Sequence, residues 1–342
     1  MTTIKKLAEL AGVSTTTVSN VIHGKTKKVS PATIQRIEKL IEEEGYVQKM
    51  GLRVLTQGNS QLIAVVINYH KEFQESILGD PFYGRIIGFI EEMVREKGYY
   101  LMVYSAKDIE EIFRVVMGWN IDGVIAISFS RRNCEKIYQL IQKPIVSIDA
   151  YGDLDPGELS NVVNIGLDDQ SGGYFMTKHL LERGYHHIKV CAGRDHGVDH
   201  LRYLGAQKAM EDFADQKQKI QFVALGMNAD KRKESYQWIL KRRQPKTALF
   251  FLSDLYALEA ISLYSDLGIS IPQEIGIAGY DDIAYARVSV PKLTTIKQDV
   301  REKAEKALEV LMEEIESGEN WKLKEREAEI KLPIRLIPRK SV

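Results

Sequence analysis

The chain has 342 residues, of which 44% are hydrophobic and 27% charged, with basic and acidic side chains balanced at 47 each. That fits about two or three globular domains and excludes a disordered chain. No apolar run approaches the roughly 20 residues of a membrane span, and Cys134 and Cys191 form no pair motif, which excludes a membrane protein and a disulfide scaffold.

The first 45 residues read as three short helices. Thr3 is placed to cap a helix with apolar Ile4, Leu7, Ala8 and Ala11, ended by Gly12. Ser14 is placed to cap a second, whose Val18, Val21 and Ile22 share a face before Gly24. Ser30 then Pro31 is an N-cap with proline at the first helical position. Ile34, Ile37, Leu40 and Ile41 follow at helical spacing, and Gly45 stops the run. Only Gly12-Val13-Ser14 separates the first two helices, too short a turn for antiparallel packing, which is the helix-turn-helix arrangement. The outer face of the second helix is Ser14, Thr15, Thr16, Thr17, Ser19 and Asn20, without the Glu and Lys that usually solubilise a helix. Such short groups reach phosphates and base edges; a cap-rich helix on a solvated surface is the alternative. Residues 1–60 also carry nine bases against five acids, so a polyanion is the expected partner at this end.

The run Leu7-Ala8-Glu9-Leu10-Ala11-Gly12-Val13-Ser14-Thr15-Thr16-Thr17-Val18-Ser19 resembles the N-terminal signature of the lactose/galactose-repressor (LacI/GalR) family, and Gly24, Val29-Ser30-Pro31 and Gly45-Tyr46 continue it. The resemblance implies a double-stranded, pseudo-palindromic operator DNA contacted by Thr3, Ile4, Ser14, Thr15, Thr16, Thr17, Asn20, His23, Ser30 and Thr33. Thr15 and Thr16 are expected on base edges, and Ser14, Thr17 and Ser30 on phosphates. Asn20 differs from the arginine often found at its position. Residues 47–60 match the family's hinge, which becomes a helix in the minor groove, with Leu55 at the position of the inserted leucine. Departures are Gln48-Lys49, Leu52 and Gly51, the last weakening such a helix by roughly 1 kcal/mol.

From Leu62 onward short apolar runs alternate with amphipathic stretches. Strands are predicted over 62–67, 100–103, 124–127 and 145–148, with helices over 83–97, 108–117 and 132–141. A second series has strands over 162–165, 188–191, 222–225, 248–252 and 275–278, with helices over 171–182, 201–213, 234–242 and 254–267. Such alternation means parallel sheets covered by helices on both faces. Two runs of strands suggest two doubly wound lobes rather than one barrel. Gly279-Tyr280-Asp281-Asp282, the run from Pro291 to Asp299, and Leu332-Pro333-Ile334-Arg335-Leu336 resemble phrases of the same family. The expected fold is therefore α/β: a three-helix helix-turn-helix head over 1–46, a hinge over 47–60, and two doubly wound α/β lobes in a periplasmic-binding-protein-like clamshell over 61–342. The first lobe is expected from about 61–158 and 297–323, the second from about 160–292 and 326–340.

In open α/β sheets, ligands bind beyond the carboxyl ends of the strands. Asp149, Ser253-Asp254 and Asp281 sit at such ends, and Arg202 begins a helix that follows one. A guanidinium grips vicinal hydroxyls or a carboxylate, and aspartates accept from hydroxyls. The resemblance implies a small-molecule effector, a sugar or sugar derivative, contacted by Phe82, Tyr83, Asp149, His196, Arg202, Met227, Ser253 and Asp281. Met227 stands where an aromatic ring often stacks, which leaves Phe82 or Tyr83 to supply one; Ser253 stands where asparagine is common. The loop over 194–200 adds His196 and His200 beside Asp195 and Asp199, but zinc needs three or four converging ligands, and no metal is expected. Without a nucleophile elbow, phosphate loop or Cys-x-x-Cys, neither catalysis nor a cofactor is expected. The expected protein is a ligand-gated transcription regulator, a repressor. The absence of a signal-peptide stretch in residues 1–10 predicts a cytoplasmic location, and no heptad follows Val342, which predicts a homodimer without a coiled-coil tetramer. A solute-binding protein and an α/β enzyme with a helical cap are the rival readings.

Overall fold

The computed structural model describes residues 2–46, 59–68, 76–106, 108–152, 154, 160–215, 217–318 and 328–342. The chain divides into two compact units, Met1–Ser60 and Gln61–Val342. Leu55 and Gly51, with the rest of the expected hinge as far as Gly58, lie outside the described residues.

In the first unit, α1 (Ile4–Ala11), α2 (Thr15–Ile22) and α3 (Pro31–Glu43) form where the capping residues predict them. Thr3, Ser14 and Ser30 each accept a backbone N–H from the third residue after them, and Gly12 closes α1 in the left-handed region at φ 63°. Eight-residue helices are marginal alone. These are held by one small core of Leu7, Ala8, Ala11, Val18, Val21 and Ile37.

The second unit contains two six-stranded sheets. The first lobe comprises β1 (Leu62–Ile67), β2 (Tyr100–Ser105), β3 (Gly123–Ile127), β4 (Ile145–Ile148), β5 (Val163–Leu167) and β11 (Glu329–Leu332), in the order β11-β5-β4-β3-β1-β2 and all parallel. The second comprises β6 (His187–Ala192), β7 (Lys219–Ala224), β8 (Thr247–Phe251), β9 (Gly276–Asp281), β10 (Thr294–Lys297) and β12 (Arg335–Ile337), in the order β12-β10-β9-β8-β6-β7. There β12 alone runs antiparallel to its neighbour. Strands β1, β3, β4 and β5 are buried along their whole length, as parallel strands covered on both faces must be. On the first lobe lie α4 (Pro81–Glu96), α5 (Ile109–Gly118), α6 (Arg131–Ile141) and α11 (Val300–Glu316); on the second, α7 (Asp169–Glu182), α8 (Val198–Phe213), α9 (Ala229–Lys241) and α10 (Asp254–Asp266).

Two expected lobe boundaries move. The strand predicted to open the second series, over 162–165, is β5, an interior strand of the first sheet between β4 and β11. The expected closing strand Leu332–Leu336 is instead the end of β11 in the first lobe, a crossing at Pro333-Ile334, and β12 in the second. Periodicity marks a segment as a buried strand but carries no information about which sheet it joins. Among the described residues the chain passes between the lobes after β5, after β10, and between β11 and β12.

Close backbone approach fixes one helix pair. A Cβ on Gly173 of α7 would collide with the carbonyl of Arg202, and one on Gly205 of α8 with the carbonyl of Gln170. Only glycine lets the two helices lie this near. Gly173→Ala is expected to lower unfolding stability by at least ~1–3 kcal/mol, read as a fall in the urea midpoint; an unchanged midpoint would show that the helices do not pack backbone to backbone.

Candidate functional site

On the head, Thr15 and Thr16 are exposed at the start of α2, while Val18 and Val21 beneath them are buried. The Ser14 and Thr17 hydroxyls pair at 2.9 Å, as do those of Ser30 and Thr33 at 2.8 Å. These four therefore build the amino ends of α2 and α3, where backbone N–H groups and the helix dipole favour an anion. Thr3 is exposed and caps α1. Ile4 packs against the head's core, so its side chain serves that core. Asn20 and His23 are half-buried at the far end of α2.

In the body, several predicted residues gather at the carboxyl ends of strands. Asp80 caps α4 by accepting from the backbone N–H of Phe82 at 2.8 Å and Tyr83 at 3.2 Å. This sets the two rings edge to face, centroids 5.3 Å apart, and brings the Tyr83 hydroxyl to 3.0 Å from Ser128 Oγ after β3. Burial pushes the Tyr83 phenol well up. Asp149, after β4, accepts from Lys303 Nζ of α11 at 2.8 and 2.9 Å. Ser128 and Asp149 both occupy the left-handed region, at φ 61° and 53°.

On the second lobe, the Arg202 guanidinium donates to Asp169 at 2.8 Å and to the Leu252 carbonyl at 2.8 Å, and lies 3.7 Å from the centre of the Tyr280 ring. Asp281 ends β9 at φ 120°, outside the usual range for a non-glycine residue and costing on the order of 1–3 kcal/mol. It accepts from Gln298 Nε2 at 2.5 Å and from Ser253 Oγ at 3.4 Å. Burial, opposed by Arg202, raises Asp281 to about 6 and Asp199 to about 7, with Asp169, Asp281 and Asp195 adding to the rise at Asp199. Burial likewise raises Asp169. Asp254, at the start of α10, is raised by burial and Asp281 and accepts from Thr295 Oγ1 at 2.6 Å and from the Ile283 N–H at 2.9 Å.

The structure thus brings Phe82, Tyr83 and Asp149 together on one lobe, and Arg202, Ser253 and Asp281 on the other. Asp149, Arg202 and Asp281 are only 7%, 6% and 8% exposed, and protein partners hold each of them. A cavity of about 570 Å³ between the lobes is bordered by Asp149, Tyr151, Asp169, His196 and Leu201 among others, a volume suited to a small ligand. His196 stands edge to face with Tyr151 across that gap, centroids 4.7 Å apart, and His200 pairs with Asp195 at 2.7 Å. Met227 meets the Arg194 guanidinium at 3.9 Å. Sequence reasoning weighed Asp199 only as a metal ligand and missed Lys303, Gln298, Asp169 and Tyr256, whose half-buried phenol is raised by loss of solvent and further by Asp199 of the second lobe and Asp80 of the first. Only Lys303 carried a local signal, a lysine within the apolar stripe of its helix.

Comparison with known proteins follows the same division. Residues 3–49 match the family described as bacterial regulatory proteins, lacI family, and residues 177–342 match the periplasmic binding protein-like domain. The HTH-type transcriptional repressor PurR of Aliivibrio fischeri (strain MJ11) is 30% identical over 333 residues, 94% of each chain. Among solved structures, the lac repressor dimer bound to operator and the anti-inducer ONPF superposes with a TM-score of 0.82 at 22% identity, covering 99% of this chain and 98% of that one. A complex of the transcriptional regulator CelR with cellobiose gives 0.69 at 23% identity, covering 100% of both. At these identities the structural likeness establishes the fold. No helix among the described residues is long and apolar enough to cross a membrane.

The raised acid makes a testable difference. Between pH ~4, near the unfolded value, and about 7, the folded Asp199 retains a proton that the unfolded chain has released, so its contribution to stability falls as pH rises through that window. Asp199→Asn removes the dependence. Its melting temperature relative to the wild type should climb from pH 5 to pH 8, and an equal difference at both would show that the carboxyl is not raised.

Proposed function

The chain belongs to the lacI family of bacterial regulatory proteins, and on that premise we propose how its head, cleft and surface divide the task of regulation. It is a DNA-binding transcription regulator, a repressor like its PurR relatives rather than an enzyme, and it carries a periplasmic-binding-protein-like effector domain. The working division is a DNA-reading head over 1–46, a hinge over 47–60 and an effector domain over 61–342.

One observation carries the reading of DNA: Thr15 and Thr16 are exposed at the start of α2 and have no capping duty, while Ser14 and Thr17 secure the turn beneath. Thr15 and Thr16 read base edges of a pseudo-palindromic operator, and the capped ends of α2 and α3 hold phosphates. The effector lies between the lobes, among Phe82, Tyr83, Asp149, His196, Arg202, Ser253 and Asp281. Carboxylates that accept hydroxyl protons, beside aromatic rings, suit a carbohydrate, the class bound in the CelR–cellobiose complex. Met227 contributes through its contact with Arg194.

The operator partner is a homodimer. A second copy has a surface to meet: a groove of about 670 Å³ on the second lobe, lined by Leu255, Leu258, Leu263, Tyr285 and Val288. Tyr285 and Val288 are 65% and 72% exposed there, and Val290, two residues further along the chain, is 84% exposed. Apolar side chains left this open mark an interaction site.

Thr15→Ala and Thr16→Ala should each change operator preference by ~1–3 kcal/mol per lost base contact, read by selection from randomised duplexes; the same consensus from both variants would remove them from the bases. A thermal-shift panel of mono- and disaccharides, run beside nucleobases and amino acids, should find a stabilising sugar whose effect disappears in Arg202→Ala. Stabilisation by non-carbohydrates alone would reject the sugar. Val288→Asp is expected to shift sedimentation from dimer to monomer, and an unshifted dimer would place the interface elsewhere.

A further inference from the structure

In α11 the residues Val300, Ala304, Ala307, Leu308 and Leu311 form the buried stripe, and Lys303 stands within it with its side chain 0% exposed. An ammonium in that position must be satisfied by protein groups. Lys303 Nζ donates to both carboxylate oxygens of Asp149 at 2.8 and 2.9 Å and to Gln298 Oε1 at 2.9 Å. The Phe82 ring centre lies 5.3 Å away. Gln298 turns its amide the other way and donates to Asp281 Oδ1 at 2.5 Å. Lys303 and Asp149 belong to the first lobe and Asp281 to the second, and Gln298 lies on the crossover between β10 and α11.

The facing surfaces that this chain of bonds joins are both acidic. Asp149 of the first lobe acts on Asp169 of the second, and Asp80 on Asp281, in each case raising the second-lobe carboxyl; Lys303 opposes both effects. The hydrogen bonds of Arg202, the other buried cation here, stay within the second lobe, to Asp169, Asp199 and the Leu252 carbonyl. Those of Lys303 reach the first lobe and the crossover.

We propose that Lys303 is a positioning residue that latches the two lobes of the effector domain to each other, holding Asp149 directly and Asp281 through Gln298. Its regulatory meaning rests on the reading of these two aspartates as effector contacts. An effector hydroxyl that bonds Asp149 competes with the ammonium for the same carboxylate, so binding weakens the internal donor's hold as the ligand donor takes its share. The lobes then take a new spacing as the Lys303–Gln298 bond is remade or lost.

Cys134 and Cys191 are buried, so Arg114→Cys on α5 and Lys241→Cys on α9, both exposed positions, accept spin labels selectively in the full-length chain. Double electron–electron resonance then reads the inter-lobe distance with no effector present. Lys303→Met keeps most of the stem and removes the charge; it should lengthen the distance by several ångströms or add a longer population. Gln298→Leu, which leaves the Lys303–Asp149 pair in place, should do the same. Adding Asp149→Asn to Lys303→Met should return the distance toward the parent value, because it removes one of the repelling acids. Unchanged distances in both single variants overturn the latch. A lengthening that Asp149→Asn does not reverse also overturns it, since packing rather than charge is then the cause. Should Lys303→Met fail to fold by circular dichroism, Gln298→Leu decides. If Asp149 and Asp281 are not effector contacts, these distances are unaffected, and the error appears instead as an unaltered thermal shift with the panel sugars in Asp281→Asn.

Discussion

A buried ammonium that must not be left unpaired constrains the effector domain more than any other single group. Removing such a charge from water costs several kcal/mol, which is offset only by complete and well-directed hydrogen bonding. Lys303 has three protons to place and finds three oxygens, two on Asp149 and one on Gln298. Neither partner can turn away without leaving the buried cation short of an acceptor beside the Phe82 ring. The end of β4, the crossover after β10 and the pitch of α11 are therefore set together, and the left-handed backbone at Asp149 is held in place.

The second lobe solves the same problem with different chemistry. Arg202 is buried over Tyr280, and its donors go to Asp169 and the Leu252 carbonyl. A planar guanidinium can lie flat on a ring while its edge hydrogen-bonds, whereas an ammonium meets a ring only as a point charge. Its position depends on two glycines that let α7 and α8 touch through their backbones. The head uses neither device. Its short helices draw stability from one small core and from hydroxyl caps, which leaves the leading face of α2 with no structural duty.

Candidate effector contacts that are already satisfied by the protein's own side chains change what ligand binding means. An open site of unpaired carboxylates would be occupied simply by adding a ligand. On the proposed reading of Asp149 and Asp281 as effector contacts, both already have partners and are almost closed from solvent, so a ligand there competes with bonds the protein has made. The free energy of that exchange is available to shift one lobe against the other, and a ligand can move an equilibrium only by its differential affinity for the two states.

Much of this protein was legible in residue order because the relevant physics is local. Thr3, Ser14 and Ser30 announce helix starts through their own hydroxyls, Gly12 announces a left-handed end, and apolar spacing separates strands from helices. The placement of Asp149 and Asp281 followed from the strands before them, since ligand sites in such sheets collect beyond strand ends. Local patterns were silent about β5 and β11, whose sheet is chosen by partners far away in the chain, Asn164 pairing with Glu329. They were equally silent about the partners of Arg202, Met227 and Lys303, which are assembled only when the lobes fold. The order of residues determined which segments are helices, strands and caps. Which lobe owns each strand, and which acids share a buried cation, was decided by tertiary packing, because burial and charge compensation depend on neighbours brought together from distant parts of the chain.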